Sequence, residues 1–421
     1  MSVGDIMKMD SIVENMSPEN RAIFQAELLY QQLVEIIENT PAYSDFKHMI
    51  SSLDSATSIE MLRKFPLLTK NELLQNPDPY LRTDLDEKLY EAKTGGTSGE
   101  QLTIRRIRSE YAIENDHIAR SWGRIGVTLG EDKGVVLSSR VAAKSENGFS
   151  YIDDKKMLWL ACNIHSAEHW LRVCKYIQEY QPKYIRGYGS LVSRYFQQLH
   201  SHGLAMPSSL EGVAYSSDPM NNKELQFIQE NYCSNIISLY GLTERVVMGA
   251  TCEKSNRIHL YPSYGFTELI REDGTVIENS GEIGEVVGTS LFPRAMSLVR
   301  FRTGDLASWA KDCICECGRQ MPTLEKLIGR SQETVISRHG ENIELTSRVS
   351  FQKLMDAVPI GTGIQFKQEK PGHLHAFIQT TRTNSLEFEH ALESLSQDFD
   401  VSFELVENPI LHSNGKRTLI V

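Results

Sequence analysis

Between residues 135 and 244, short apolar runs alternate with segments of helical periodicity, and this alternation limits the possible folds more than any other feature. The runs are VVLSS (135–139), YIRGYG (184–189), EGVAYSS (211–217) and NIISLYGLTE (235–244). Each of the last three follows a segment with the apolar spacing of a helix. Short strands that alternate with helices form βαβ units, whose strands pair in parallel. The sequence therefore predicts an α/β fold with a parallel sheet.

The segments that flank this region predict other local structures. Residues 20–39 and 110–123 have apolar side chains at helical spacing, and Thr69 is suited to cap a short helix. Beyond residue 245, strand-like runs separated by REDGT, ENSGE and RTGD predict a β section that is mostly antiparallel. The C-terminal ninety or so residues predict a small α+β unit, with strands near Gln365, at HLHAFIQTT and at VSFELV and a helix at SLEFEHALESLSQ.

Size and charge exclude several classes of protein. The 421 residues exceed what one hydrophobic core supports, so at least two lobes are expected. The net charge of −11 argues against non-specific nucleic-acid binding, which requires an excess of Lys and Arg. No apolar run approaches the roughly 20 residues of a membrane span, and MSVGDIMKMD lacks the features of a secretory signal. Seven cysteines, an odd number, then indicate reduced thiols in a cytoplasmic protein.

The stretch TGGTSGEQ (94–101) is the first candidate binding element. Glycine-rich loops allow backbone N–H groups to converge on a phosphate, and hydroxyl side chains add further donors. A Walker A loop requires Lys where this chain has Glu100, so the P-loop NTPase class is excluded. A surface turn is the alternative interpretation of this stretch taken alone.

Two later motifs favour the phosphate-binding interpretation over a surface turn. SLYGLTE (238–244) places polar groups at the end of a predicted strand, where open α/β sheets bind ligands. Tyr240 could stack on a base, Thr243 could donate to a phosphate and Glu244 could bind Mg²⁺. Asp305, in VRFRTGDLASW (299–309), is a suitable acceptor for ribose hydroxyls. Together these motifs predict a nucleotide site.

In this order the motifs resemble those of the adenylate-forming superfamily of acyl-CoA ligases and carrier-loading adenylation enzymes. Within it the chain is most similar to the phenylacetate-CoA ligase and coenzyme F390 synthetase group. Residues 33–46 and 65–81 resemble the N-terminal region of that group, and residues 265–305 resemble its adenylation core. The resemblance covers nearly the whole chain.

The resemblance implies an ATP site assembled from these motifs. The glycine-rich loop would hold the β- and γ-phosphates through Thr94, Gly95, Gly96, Thr97, Ser98 and Gly99. The segment YSSDPM would contact the adenine edge through Ser217 and Asp218, and Tyr240 with Gly241 would lie against the adenine ring. Asp305 would bind the ribose, and Arg330 the ribose or the phosphates.

The resemblance also implies where the chemistry is carried out. Residues 1–329 would bind ATP and the acid, and residues 330–421 would form a mobile lid that pivots near Gln332. Glu244 would hold Mg²⁺ beside Thr243. Lys416, in SNGKRTLIV, would meet the substrate carboxylate and the α-phosphate when the lid closes.

The implied function is ATP-dependent activation of a carboxylic acid, an aryl or heteroaryl acid at family level, to an acyl-adenylate with release of pyrophosphate. The acyl group would then pass to the thiol of coenzyme A. Two alternatives stay open: transfer to the phosphopantetheine of a separate carrier protein or to a protein cysteine, and a non-catalytic, zinc-stabilised binding protein of the same fold. The implied partners are a small-molecule acid and coenzyme A, without nucleic acid or membrane, and a homodimer is left open.

The cysteines form a second constellation. CICECGR (313–319) and TCEKSNRIHLYP (251–262) supply thiols and an imidazole, and thiolates from separate loops can close a tetrahedral Zn²⁺ site. F390-synthetase-like relatives have a similar arrangement, which implies a structural Zn²⁺ bound by Cys252, His259, Cys315 and Cys317. Cys313 competes with Cys315 for this role, and buried or surface cysteines without metal are the alternative. The remaining cysteines are expected in the core: Cys162, Cys174 and Cys233.

Three further residues have weaker signals. His165 and His169 lie near a predicted helix start and are interpreted as surface or capping residues. Arg140 follows a predicted strand, where it could pair with a polar group of the substrate or with a neighbouring acidic side chain, and the second interpretation is favoured.

Overall fold

The structure is a computed structural model that describes most of the chain. The described residues are 12–94, 101–138, 141, 148–162, 166–218, 220–311, 315–330, 334–345, 350–351, 353–354, 358, 363–380, 386–406, 410 and 419–421. Two compact units are formed, and each contains two segments of the chain. Met1–Ser121 and Leu239–Ile328 form the first unit, and Trp122–Ser238 and Gly329–Val421 form the second.

The first unit begins with helices. These are α1 (Pro18–Asn39), α2 (Ser58–Leu62) and α3 (Lys70–Gln75), with 3₁₀ turns at Pro41–Ser52 and Asp78–Tyr80. The Ser17 side chain accepts a hydrogen bond from Asn20 N at the start of α1, and Pro18 supplies a suitable φ angle there. Thr69 and Glu72 form a capping box on α3, as the sequence predicts. The apolar face of α1 is buried in a core that includes Phe65 and Val299.

The strands of the first unit are antiparallel. A hairpin of β1 (Tyr90–Lys93) and β2 (Thr103–Arg106) precedes helix α4 (Arg108–Gly123), which extends into the second unit. Residues 134–216 form the strands β3 to β7, which lie in the second unit. The chain then continues along seven further strands: β8 (Ile236–Gly241), β9 (Met248–Thr251), β10 (Ile258–Leu260), β11 (Gly265–Ile270), β12 (Ile283–Ser290), β13 (Phe301–Trp309) and β14 (Thr323–Arg330). Their spatial order is β11-β12-β13-β14-β10-β9-β8. The predicted antiparallel section beyond residue 245 is confirmed.

The parallel sheet lies in the second unit. Its strands are β3 (Gly134–Ser138), β4 (Ser150–Ile152), β5 (Met157–Ala161), β6 (Tyr184–Tyr188) and β7 (Gly212–Ser216), in the order β7-β6-β3-β5-β4. All neighbours pair in parallel except β4 with β5. Three helices contribute to its core: α5 (Ala167–Tyr180), α6 (Gly189–Ser201) and α7 (Asn222–Asn231). The predicted βαβ pattern is confirmed, and β4 and β5 are additional strands that the sequence analysis did not predict.

The C-terminal segment of the second unit has its own small core. After a hairpin of β15 (Thr334–Ile336) and β16 (Asn342–Glu344), the strands β17 (Gly363–Lys367), β18 (His373–Gln379) and β19 (Asp400–Val406) form a three-stranded sheet. The helix predicted at SLEFEHALESLSQ is α8 (Leu386–Leu392), which a 3₁₀ turn at Glu393–Leu395 continues. Phe366, Phe388 and Phe399 are buried together in this core. The predicted α+β unit is confirmed.

No helix within the described ranges is both long and apolar enough to cross a membrane.

Candidate functional site

Two of the predicted nucleotide-binding residues lie against each other. Tyr240 lies at the end of β8 and Asp305 on β13, 65 residues further along the chain. The Tyr240 hydroxyl donates a hydrogen bond of 3.0 Å to Asp305 Oδ2. Only 8% of Asp305 is exposed. A buried carboxylate requires donors around it, and the tyrosine supplies one that also fixes its orientation.

A β-bulge determines where Asp305 points. The register between β12 and β13 shifts after Glu285, so that residues 303–305 lie opposite a single residue of β12. Gly304, at the centre of this bulge, has φ +76°, which glycine adopts without steric cost. Its N–H donates to Glu285 Oε1 at 2.9 Å. The TGD sequence therefore has two roles: Gly304 permits the positive φ of the bulge, and Asp305 supplies the carboxylate.

The glycine-rich stretch connects β1 to β2, and its ends are fixed. Thr94 N donates to Leu102 O at 2.9 Å, and Leu102 N donates back to Thr94 Oγ1 at 3.0 Å. Both residues are buried. The Thr94 side chain thus links the end of β1 to Leu102, just before β2. This structural role is separate from the predicted phosphate contact. The predicted phosphate ligands Gly95, Gly96, Thr97, Ser98 and Gly99 lie outside the described residues.

Ser217 and Asp218 follow β7 in the second unit. Ser217 is exposed and has φ +74°, an uncommon conformation for a non-glycine residue. Asp218 Oδ2 accepts a hydrogen bond of 3.3 Å from Ser190 N at the start of α6. A carboxylate is stabilised at a helix N-terminus. The adenine contact expected of these two residues remains a prediction.

Buried arginines hold the main chain that follows Tyr240 and Gly241. Arg106 Nη2 donates to the Thr243 carbonyl oxygen, and Arg294 Nη1 donates to the Glu244 carbonyl oxygen. Glu244 itself is buried. The next residue, Arg245, has φ +54° and no exposed surface. The candidate Mg²⁺ ligand therefore lies on a segment whose conformation is fixed from both sides.

Two glutamates of α4 pair with Arg245 and Arg294. Arg245 Nη2 binds Glu114 Oε2, and Arg245 Nη1 lies 3.5 Å from Glu110 Oε2. The same Glu110 oxygen lies 3.4 Å from Arg294 Nε. Burial lowers the pKa of the Arg294 guanidinium, and the neighbouring Glu110 carboxylate opposes that shift. The sequence analysis missed this network, although an arginine directly after the SLYGLTE motif, followed by VVMGA, was a usable signal of a buried charge.

The four predicted metal ligands converge in the first unit. Their ligand atoms all lie within 4.8 Å of one another. Cys252 follows β9, His259 lies on β10, and Cys315 and Cys317 lie between β13 and β14. The Sγ atoms of Cys252 and Cys315 are 3.5 Å apart, and Cys317 Sγ lies 3.3 Å from His259 Nε2. Three thiols and one imidazole are a donor set that suits tetrahedral Zn²⁺.

Hydrogen bonds orient the imidazole of this cluster. The Thr323 hydroxyl donates to Met321 O at 2.8 Å, so its lone pair is available to His259 Nδ1 at 3.0 Å. Nδ1 must then carry the proton, which leaves the Nε2 lone pair directed at the cluster. This is the tautomer that a metal ligand requires.

Donors also surround the sulfur atoms. Cys252 Sγ accepts hydrogen bonds from Lys254 N at 3.2 Å and from Arg319 Nη2 at 3.5 Å, and Arg319 is held by Glu253. Such donors stabilise a thiolate. Burial, in contrast, raises the pKa of the Cys317 thiol to about 12. A bound cation would favour the thiolate form of Cys317 against this effect of burial.

The other sequence predictions have mixed outcomes. Cys162, Cys174 and Cys233 are buried in the core of the second unit, as expected. His169 is buried rather than on the surface, and its Nε2 lies 2.7 Å from Ala161 O. Arg330 is the last residue of β14. Several named positions lie outside the described residues: Glu100, Arg140, His165, Cys313, Gln332 and Lys416.

Two of the similar known proteins have the same name, phenylacetate-coenzyme A ligase. The chain is 25% identical over 329 residues to the phenylacetate-coenzyme A ligase of Pseudomonas putida, with 76% of this chain and 72% of that protein covered. It is 22% identical over 344 residues to the enzyme of the same name from Thermus thermophilus, with 79% and 75% covered. No family model matches the chain.

Solved structures share the fold. The crystal structure of 2-hydroxyisobutyryl-CoA ligase in the postadenylation state, in complex with R3-HIB-AMP, has a TM-score of 0.73 at 18% identity and covers 97% of this chain and 91% of that one. The anthranilate CoA ligase bound to anthranoyl-AMP has a TM-score of 0.52 at 15% identity, with 79% and 66% covered. At these identities the likeness concerns the fold.

Proposed function

Because the chain belongs to the adenylate-forming superfamily and to its phenylacetate-CoA ligase-like group, we propose that it activates a carboxylic acid with ATP and transfers the acyl group to coenzyme A. The acid carboxylate attacks the α-phosphate, pyrophosphate leaves, and the thiol of coenzyme A then attacks the acyl-adenylate. An aryl or heteroaryl acid is the proposed substrate class, which the phenylacetate-coenzyme A ligases among the similar proteins support.

The observation that carries the proposal is the Tyr240–Asp305 pair. Two motifs chosen from the sequence for a base and a ribose meet at 3.0 Å, with the carboxylate held in one orientation. A fixed carboxylate acceptor is suited to ribose hydroxyls, and a tyrosine ring beside it is suited to a purine. This pairing favours the nucleotide-binding interpretation over that of isolated turns.

The roles that we propose for the other residues rest on the chemistry of the reaction and not on contacts between described residues. The backbone and hydroxyls of residues 95–99 would donate to the departing pyrophosphate, and Lys416 would donate to the carboxylate and α-phosphate. Residues 330–421 would form the lid that carries Lys416, and residues 1–329 would bind the substrates. Positioning and electrostatics account for the rate, so the reaction requires no acid–base triad.

Two metal ions fit the side chains that are present. Glu244 offers a buried carboxylate on a fixed segment, and hard oxygen ligands suit Mg²⁺, which when bound supplies positive charge to the triphosphate. The cluster of Cys252, His259, Cys315 and Cys317 suits one Zn²⁺. All four ligand positions would be filled by protein, so we propose a structural role for this ion.

ATP–pyrophosphate exchange with a panel of aryl, heteroaryl and aliphatic acids tests the proposal. One or more aryl acids should support exchange, and coenzyme A added to the best acid should then yield its thioester. Exchange without a thioester, followed by labelling of a phosphopantetheinylated carrier protein, would replace coenzyme A by a carrier as acceptor. Tight binding of acids or nucleotides without exchange for any acid would instead identify a non-catalytic binding protein.

A further inference from the structure

A network of buried charged side chains lies beneath residues 243–245. Arg106 and Arg294 donate to the carbonyl oxygens of Thr243 and Glu244. The Glu110 carboxylate lies against both Arg245 and Arg294, and Glu114 binds Arg245. Because desolvation offsets much of the attraction in a buried ion pair, the arrangement needs a reason beyond stability.

Glu110 lies at the centre of this network. It has no exposed surface and lies in the first turn of α4. Its Oε1 accepts hydrogen bonds from Ile107 N at 3.2 Å and from Ala295 N at 2.9 Å. Its Oε2 faces both Arg245 and Arg294. One carboxylate thus joins the start of α4, the segment at Ala295 and the segment after β8.

The backbone that this network holds is not in a relaxed conformation. Arg245 has φ +54°, where L-residues are strained. Such a conformation persists only where surrounding contacts determine it, and it is frequent at functional sites. Arg106 and Arg294 supply those contacts on the two preceding carbonyl oxygens.

We propose that Glu110 is a positioning residue for Glu244. It acts through Arg294 and Arg245, which fix the main chain on either side of the Glu244 carboxylate. This inference rests on the proposed function, in which Glu244 binds the Mg²⁺ of Mg²⁺-ATP.

Replacement of Glu110 by Gln tests the coupling with little change in volume. The amide oxygen can still accept from Ile107 N and Ala295 N, but the amide N–H groups then face Arg294 and Arg245 as donors against donors. Arg294 should withdraw from the Glu244 carbonyl, and the main chain that carries the Glu244 side chain should lose its fixed conformation. Residues that orient a metal ligand typically contribute about 10- to 100-fold to metal affinity.

The chain offers a matched control in Glu268. This carboxylate is also buried and binds Arg300, with Nε–Oε2 at 2.9 Å and Nη2–Oε1 at 3.2 Å. Arg300 also has a positive φ, +49°. The contacts described for this pair do not include residues 243–245. Glu268→Gln therefore reproduces the loss of a buried carboxylate without the proposed connection.

The measurement is Mn²⁺ binding by electron paramagnetic resonance in the presence of α,β-methylene-ATP, which requires neither an acid nor turnover. Glu244→Gln and Glu110→Gln should each weaken Mn²⁺ binding by roughly tenfold or more. The double variant should be no weaker than Glu244→Gln alone, because Glu110 acts through that residue. Glu268→Gln should bind Mn²⁺ with parental affinity.

Two results would show that Glu110 supports the fold only. One is a loss of Mn²⁺ affinity in the double variant that equals the product of the two single losses. The other is an equal loss of Mn²⁺ affinity in Glu110→Gln and Glu268→Gln. If Glu110→Gln does not fold, Arg294→Lys replaces it, since it keeps the charge but loses the directed contact to the Glu244 carbonyl. Parental Mn²⁺ affinity in Glu244→Gln would remove the magnesium role and this proposal with it. Pyrophosphate exchange by the unaltered enzyme, measured separately, decides the proposed function itself.

Discussion

Replacement of Thr323 by Val should weaken zinc binding although Thr323 is not a ligand. The Thr323 hydroxyl donates to Met321 O and accepts from His259 Nδ1, which keeps Nε2 unprotonated. Valine has nearly the same shape and suits a strand, so β14 and its pairing with His259 should persist. What disappears is the acceptor that selects the tautomer and orients the ring.

The expected magnitude follows from that single contact. Outer-shell partners of a histidine ligand contribute about 10- to 100-fold to metal affinity, which corresponds to roughly 1.4–2.7 kcal/mol. The metal-free protein should lose only about 1 kcal/mol, the usual net value of one hydrogen bond. The effect of Thr323→Val on the free energy of unfolding should therefore be larger with zinc than without it.

Competition with a colorimetric zinc chelator measures the affinity, and melting with and without zinc measures the linked stability. Cys317→Ser, which removes a ligand, serves as the reference for loss of the site. Thr40→Val is the matched control, because its buried hydroxyl donates to Ser297 Oγ at 2.8 Å in the same unit but apart from the cluster. Equal zinc affinity in Thr323→Val and Thr40→Val would refute the tautomer argument.

Three further predictions concern the nucleotide, the lid and pH. Asp305→Ala should raise the KM for ATP in pyrophosphate exchange by about tenfold or more, since charge-assisted hydrogen bonds contribute roughly 1.5–3 kcal/mol. Tyr240→Phe removes only the 3.0 Å bond to that carboxylate and should raise the KM by less. Parental KM values in both variants would show that the ribose does not bind at Asp305. Lys416→Ala should slow adenylation by roughly 10²-fold while pre-made acyl-adenylate is converted to thioester at the parental rate; equal losses would contradict this. Burial lowers the pKa of His169 below its ordinary 6.5, so the unfolded chain binds the extra proton first and the free energy of unfolding should fall as pH decreases below 6.5. His169→Gln should flatten that dependence in denaturant titrations, and an unchanged slope would exclude His169 as its source.

Local patterns accounted for most of the fold. The capping box at Thr69 and the apolar face of α1 depend on residues within a few positions of each other, so the sequence displays them directly. The parallel sheet follows from alternation, which also repeats at short range. The strand β5 was missed because its five residues directly follow the charged turn at residues 153–156.

The candidate site likewise contains parts that the sequence predicted and parts that it did not. The cluster of Cys252, His259, Cys315 and Cys317 was predictable because cysteines are few and their chemistry is specific, so two short motifs were sufficient. The network around Glu110 was not, because arginine and glutamate are usually exposed and Glu110 contacts Arg294 from 184 residues away. The bulge at Gly304 also needed the structure, since RTGD in the sequence predicts an ordinary turn.

The order of the zinc ligands along the chain has a consequence for biosynthesis. Cys252 and Cys315 are 63 residues apart, and β10 to β13 are synthesised between them. At about 5–20 residues per second, the first thiol and His259 wait roughly 3–13 s before their partners leave the ribosome. A Zn²⁺ ion bound at this cluster would therefore enter after β13 has been made, and it would hold the start and the end of that stretch together. Zinc supply would then act late in synthesis, on chains whose N-terminal helices have already been made.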